Sequence, residues 1–393
     1  MRDGIDRRSM VALSGGHFAV DFASGSIPAL IPFLTTRFNL NYALAGLLLL
    51  ASTASSSLVQ PLFGLWSDRR GALWLIPGGT LLAAIGVAGA AISPLYPVVL
   101  LLVLAGGLGV AAFHPEGAKY AAYASGRKRA SGMSYFNIGG NTGYALGAFA
   151  AGELVVSFGL WATVIAMVPV ALAAFGLARM TRTFATLADA PLRETTAGGE
   201  DDRRAMTLLA VVIALRSIAW FTLLAFLPLW VVSLGHSKAY GNHLLFLMLM
   251  SGAVGTLILG PVADRVGLRR TLLVTQAFVP PLMLTFVYAG GIAGALALVP
   301  LGMCVVGTYG VTMVLSQSYL PRHIGMASGL SVGLAMGIGG VAAVVLGAVA
   351  DAIDLKSALT ISALVPVLGL VACARLPRPR TLARRTLAPA AVD

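Results

Sequence analysis

The sequence predicts an all-α membrane protein of twelve transmembrane helices, six in each of two related halves. Three observations carry that reading: the composition, the recurrence of apolar runs about twenty residues long, and a loop motif that occurs twice. Of 393 residues, 58% are hydrophobic and only 11% are charged, with a mean hydropathy of +0.87, whereas an ordinary soluble domain carries roughly a quarter charged residues. Each long apolar run can cross a hydrocarbon core as a helix. A closed β-barrel would show short alternating strands, and a cleaved secretory leader would be followed by a polar chain. The net charge of +12 is scattered between the apolar runs instead of gathered on one polar face, which argues against nucleic acid as a partner. Two cysteines, Cys304 and Cys373, both in apolar segments, give no disulfide framework and no metal or redox motif.

Polar or Pro/Gly-marked breaks place spans at 11–36, 42–66, 73–91, 97–122, 131–156 and 159–180, and again at 206–233, 241–263, 271–290, 293–319, 326–350 and 356–375. The implied organisation is a first six-helix unit over 1–180, a polar linker over 181–205, a second six-helix unit over 206–375 and a basic tail over 376–393. Under this count Arg2, Arg7, Arg8, Arg69, Arg70, Arg127, Lys128, Arg129, Arg265, Arg269, Arg270, Arg322 and the tail from Arg375 to Arg385 share one side. Only Arg37, Lys238 and Lys356 lie on the other. Short cytoplasmic loops retain Lys and Arg, so both termini are expected in the cytoplasm of a multi-pass protein of the bacterial inner membrane.

The halves also resemble each other. "GLWSDRRG" starts at Gly64 and "GPVADRVG" at Gly260, so that Gly64, Asp68, Arg69 and Gly71 match Gly260, Asp264, Arg265 and Gly267 at an offset of 196. "ASGMS" from Ala130 pairs with "ASGLS" from Ala327 at an offset of 197. Two copies of GxxxDRxG, each following the second span of its half, resemble the signature loop of the major facilitator superfamily. Within it, "QPLFGLWSDR", "FHPEGAKY", "NIGGNTGYALG", "LRSIAWFTLLAFLPLW" and "SQSYLPRHIGMASGL" are similar to the fosmidomycin-resistance transporter group. The resemblance implies two pseudo-symmetric six-helix bundles, a substrate site between them near the midplane, and a monomer. One departure stands out: the antiporter-type motif usually has proline after "GYALG", and this chain has Ala148.

Candidate functional residues follow from charge in apolar surroundings. Gly64, Asp68, Arg69 and Gly71, with Gly260, Asp264, Arg265 and Gly267, read as a conformational latch, since a carboxylate there can accept N–H bonds from a neighbouring helix start. His17 and Asp21 are four apart and share one face of the first span. Exposing Asp21 to lipid would cost about 2.5–3.5 kcal/mol, so it must face protein or water, which suits a proton carrier. Arg216 in span seven stays charged and presents a planar fork for carboxylate or phosphate. At the repeat offset it corresponds to position 20, beside Asp21, so an acid and a base are expected at similar depth, competing for or bridged by a proton and an anionic substrate; a permanent ion pair is the plainer alternative.

In "FHPEGAKY", Pro115 removes a helix hydrogen bond. His114 and Glu116 are expected to line the cavity, with Lys119 three residues on neutralising Glu116 or drawing in anions. Asn137 and Asn141 share a face of span five with Gly139, Gly143 and Gly147, and Gly325, Gly329, Gly333 and Gly337 repeat the spacing on span eleven. Small residues so spaced allow close, movable packing. The two asparagines, with Tyr309 and Gln317 on span ten, are candidate ligand contacts.

No GxxxxGK[ST] phosphate loop occurs, so pumping would draw on an ion gradient and require no cofactor. The leading expectation is a proton-coupled efflux antiporter for a small anionic drug or metabolite, such as fosmidomycin, working by alternating access. Proton-coupled import uses the same parts, and a non-transporting sensor or lipid-handling protein could share the fold. An intramembrane metalloenzyme built on His17, Asp21, His114, Glu116 and His243 lacks any close ligand motif and leaves the duplicated loops unexplained.

Overall fold

A computed structural model describes residues 4–60, 62–64, 66, 72–126, 129–187, 200–321 and 324–377. Asp68, Arg69 and Gly71 of the first latch motif, and most of the central linker and basic tail, lie outside the described residues. The helices are α1 (Arg7–Phe38), α2 (Tyr42–Ser57), α3 (Leu75–Ile92), α4 (Tyr96–Ala124), α5 (Arg129–Phe158), α6 (Ala162–Ala185), α7 (Arg203–Ser233), α8 (Lys238–Val266), α9 (Leu268–Ala289), α10 (Gly291–Val306), α11 (Tyr309–Tyr319), α12 (Ile324–Ala352) and α13 (Leu355–Ala374). No strand occurs among the described residues. The single tenth span of the sequence reading is two helices, α10 and α11, parted at Gly307 and Thr308.

Among the described residues eleven stretches are long and apolar enough to cross a membrane. The twelfth helix, α5, is 30 residues long and is absent from that set because it carries Asn137, Asn141, Glu153 and glycines at 132, 139, 140, 143, 147 and 152. Gly139, Gly143 and Gly147 face the α1 backbone, and Glu153 meets His243. Without water, every backbone group must be satisfied inside the span, which helices do locally.

Most helices begin a few residues before their apolar stretch, and polar caps explain why. Asp6 accepts from the Ser9 N–H, Asp202 from Ala205, and Asp354 from Ser357. Each satisfies a donor that has no partner within its helix. The Ser357 N–H also holds the exposed Asp354 carboxyl below its ordinary pKa.

Within the first half α1 packs on α5 and α3 on α4; within the second, α7 packs on α12 and α13, and α8 on α10. The halves meet mainly along α2 with α12 and along α5 with α8. The α1/α5 seam is as close as helices come: a Cβ at Gly139, Gly143 or Gly147 would collide with the backbone carbonyls of Ser14, Phe18 and Phe22. On α12 the expectation needs correcting. Gly333 and Gly337 have no atom within 4 Å of a would-be Cβ, and the close approach to α2 is made further along, by Gly340 against Thr53 and Gly347 against Tyr42.

Both described ends of the chain sit on one face. The Asp6 N–H donates to the Ala124 carbonyl, Asp202 N–H to Tyr319, and the Tyr319 hydroxyl to Pro377. The α1/α2, α5/α6 and α7/α8 connections lie on the opposite face, where Lys238 Nζ meets Thr36 Oγ1 at 2.7 Å.

Candidate functional site between the halves

Asp21 is the hub of the site. Its Oδ2 lies 3.2 Å from His17 Nε2 and its Oδ1 3.4 Å from His114 Nε2. The four-residue spacing on α1 brings the first pair together, and packing of α4 on α1 brings the second. His17 Nδ1 is 2.8 Å from the Phe136 carbonyl, and His114 Nδ1 is 2.9 Å from the Val110 carbonyl. A carbonyl oxygen only accepts, so each Nδ1 must carry the hydrogen. In the neutral tautomer both Nε2 atoms would then turn lone pairs on a carboxylate. The three groups therefore call for a cation between them, a proton in the simplest case. His17 is buried and stacks on Phe136, with ring centroids 4.1 Å apart; Asp21 and His114 are partly exposed.

Glu116 corrects one expectation. It is fully buried, 0% exposed, and so does not line a cavity with His114. Its Oε2 is 2.8 Å from Lys119 Nζ, so the predicted pair forms, directed into the protein because the turn separating His114 from Glu116 aims them apart. Lys119 is tied to that carboxylate.

In the second half Arg216 is buried, and its guanidinium donates to the Thr308 hydroxyl at the α10/α11 break. Thr308 in turn donates to the Cys304 carbonyl, 2.8 Å away. Among the described residues Arg216 has no carboxylate within ion-pair distance, so the permanent pair with Asp21 does not form. Tyr309 follows Thr308 at the start of α11 and is exposed. Asn137 is exposed and Asn141 half-buried, and neither makes a hydrogen bond among the described residues. Gln317 is half-buried on α11. Asp264 and Arg265 are exposed at the end of α8, where Gly267, at φ +97°, turns the chain into α9. Only a residue tolerant of that conformation fits there. Neither charge of this second motif finds a partner among the described residues.

The sequence reading missed the closure on the face opposite the termini. Asp351 Oδ1 and Oδ2 accept from the Tyr42 and Ala43 N–H groups at 2.7 and 2.9 Å, capping the start of α2 from the other half. His243 pairs with Glu153 across α8 and α5. Asn242, 1% exposed, donates to the Ala29 carbonyl at 3.3 Å. A cavity of about 320 Å³ sits beside this clasp, lined by Thr35, Asn41, Tyr42, Ser233 and Asp351 among others. Towards the termini, Tyr135, Asn137 and Ile138 of α5 and Tyr309 of α11 are exposed. The sequence signal available was an acid, Glu153, inside an apolar run; Thr308 gave none.

The model of the Major Facilitator Superfamily matches residues 13–344. The chain belongs to the major facilitator superfamily. This facilitator is 31% identical over 370 residues to an uncharacterized transporter of that type, YfnC of Bacillus subtilis (strain 168), covering 91% of this chain and 90% of that one. It is 28% identical over 367 residues to the fosmidomycin resistance protein of Escherichia coli (strain K12), covering 92% and 90%. Among solved structures it superposes on the nucleoside transporter NupG with a TM-score of 0.75 at 14% identity, over 94% of this chain and 99% of that one. A bacterial homolog of the human lysosomal transporter Spinster, inward-facing and occupied, superposes at 0.76 and 14%, over 93% and 95%. The facilitator is thus a multi-pass membrane transporter with a small-molecule substrate, and not an enzyme.

Proposed function

We propose that this facilitator is a proton-coupled antiporter that exports a small anionic drug or metabolite, such as fosmidomycin, from the bacterial cytoplasm by alternating access. The observation that carries the reading is Arg216, a buried guanidinium held by a hydroxyl and, among the described residues, by no carboxylate, in the half of the chain opposite the His17–Asp21–His114 cluster. The arginine supplies a fixed positive fork for a phosphonate or carboxylate, and the cluster supplies a place for a proton. Asn137, Asn141, Tyr309 and Gln317 complete the substrate's surroundings from both halves. The proton gradient is the driving force, no cofactor is required, and the protein works as a monomer in the inner membrane. Both termini are cytoplasmic, as the basic loops imply, so the contacts of Asp351 and Glu153 close the outer side and belong to an inward-open state in this reading. The GxxxDRxG loops, from Gly64 and Gly260, act as the latch that closes the cytoplasmic side in the opposite state. The 28% identity to the fosmidomycin resistance protein supports the substrate class.

The test is fosmidomycin tolerance in cells expressing this protein, with and without a protonophore. Protection that the protonophore removes supports the reading; absence of protection at normal membrane levels of protein removes the drug assignment.

Alternating access also makes the Asp351 clasp an energetic bias. Asp351→Ala deletes two exposed hydrogen bonds, worth about 1 kcal/mol each, which is a several-fold to tens-fold population shift. Thiol labelling of Tyr309→Cys, in a background lacking Cys304 and Cys373, is expected to slow as the outward-open state gains. Unchanged labelling shows that the clasp does not set the equilibrium.

A further inference from the structure

The protein holds an arrangement suited to more than a proton. His17 Nε2, one carboxylate oxygen of Asp21 and His114 Nε2 all lie within 4.8 Å of one another. His17 Nε2 lies 3.2 Å from Asp21 Oδ2 and His114 Nε2 lies 3.4 Å from Asp21 Oδ1, each near the edge of a tetrahedron whose metal–ligand bonds are about 2.0–2.1 Å, which is roughly 3.3 Å. A bound ion would draw the wider separations of the set in toward that length. Each histidine also gives its Nδ1–H to a backbone carbonyl, of Phe136 or Val110. That outer hydrogen bond fixes the tautomer and aims the Nε2 lone pair, as it does in metal-ligating histidines generally. Above the cluster α5 offers Gly140, where a Cβ would lie 2.7 Å from Asp21 Oδ2 and collide with His17 Nε2. The glycine keeps open the space a bound ion would need.

We propose that His17, Asp21 and His114 form a binding site for a single divalent transition-metal ion, Zn²⁺ or a neighbour such as Co²⁺ or Ni²⁺. Two imidazoles and a carboxylate favour these borderline ions over Mg²⁺ or Ca²⁺, which prefer all-oxygen sets. The fourth position lies at the partly exposed edges of Asp21 and His114 and takes water. The ion would pin α1 to α4 at the hub of the site and arrest transport, so it is an inhibitor and not a cofactor.

Binding is measured on the purified full-length protein in detergent without substrate or gradient, so the result is independent of the export assignment. Calorimetric titration with ZnCl₂ is expected to show one equivalent bound with micromolar affinity, and Co²⁺ to develop the visible bands of a tetrahedral centre. His114→Asn and Asp21→Asn, checked for monodispersity, should each weaken Zn²⁺ at least tenfold, while His236→Ala and His243→Ala leave it unchanged. Absence of saturable binding up to millimolar ZnCl₂ overturns the proposal. So does Zn²⁺ binding that survives both His114→Asn and His17→Gln, which would place the ion elsewhere.

Discussion

Arg216→Ala is expected to abolish transport of the anion while leaving the protein folded and in the membrane. Truncating a buried charged donor that meets a charged ligand typically costs about 2–5 kcal/mol, which is tens- to thousands-fold in affinity. Arg216→Lys retains the charge without the planar fork and is expected to fall between the two. Direct binding of fosmidomycin to purified protein reads this without reference to the gradient. Asp21→Asn should separate the halves of the mechanism: the anion still binds, because Arg216 is intact, but protonophore-sensitive protection disappears. Retention of anion binding by Arg216→Ala, or of protonophore-sensitive protection by Asp21→Asn, would sink the corresponding role.

Gly147→Leu is expected to have the largest effect on folding. Any side chain at that position meets the Phe22 carbonyl of α1, and any at Gly143 meets that of Phe18, so the obstacle is backbone that cannot turn aside. Overpacking a well-fitted core costs about 1–3 kcal/mol, and more when the neighbour cannot yield. The measurement is thermal melting in detergent, with Gly333→Leu as the comparison, because nothing lies within 4 Å of a Cβ there. The first variant should melt many degrees lower or fail to accumulate, and the second should behave as wild type. Equal melting would mean that α1 and α5 are not locked by this seam.

The twelve spans were legible because lipid makes a simple demand: about twenty apolar residues, with every backbone group satisfied. The edges were less legible, since caps such as Asp6 and Asp202 are polar and lie outside any apolar count. The Asp21–His17 pair followed from helical spacing alone. His114 joined it by a crossing of α1 and α4 that no spacing rule contains. Glu116 shows the converse: two residues from His114, it is buried and paired with Lys119, because two positions along a helix is just over half a turn. Asp351 and Glu153 escaped notice for another reason. Their partners, Tyr42 with Ala43 and His243, belong to the other half of the chain, and pairing across 309 or 90 residues leaves no mark in local sequence.

Because the clasp on the face opposite the termini gathers Asp351, Glu153, Asn242 and Lys238, the molecule has the mechanics of a pair of tongs held at one end. The 29-residue α12 is a lever about 44 Å long, so a tilt of about ten degrees at the clasp opens roughly 7–8 Å at the far tip, on the basis of 1.5 Å of rise per residue. That gape is about the width of a small organic anion. A few hydrogen bonds at the fulcrum thus govern displacement at the handles, and changes too small to notice at Tyr42 decide whether a solute can leave or enter forty ångströms away.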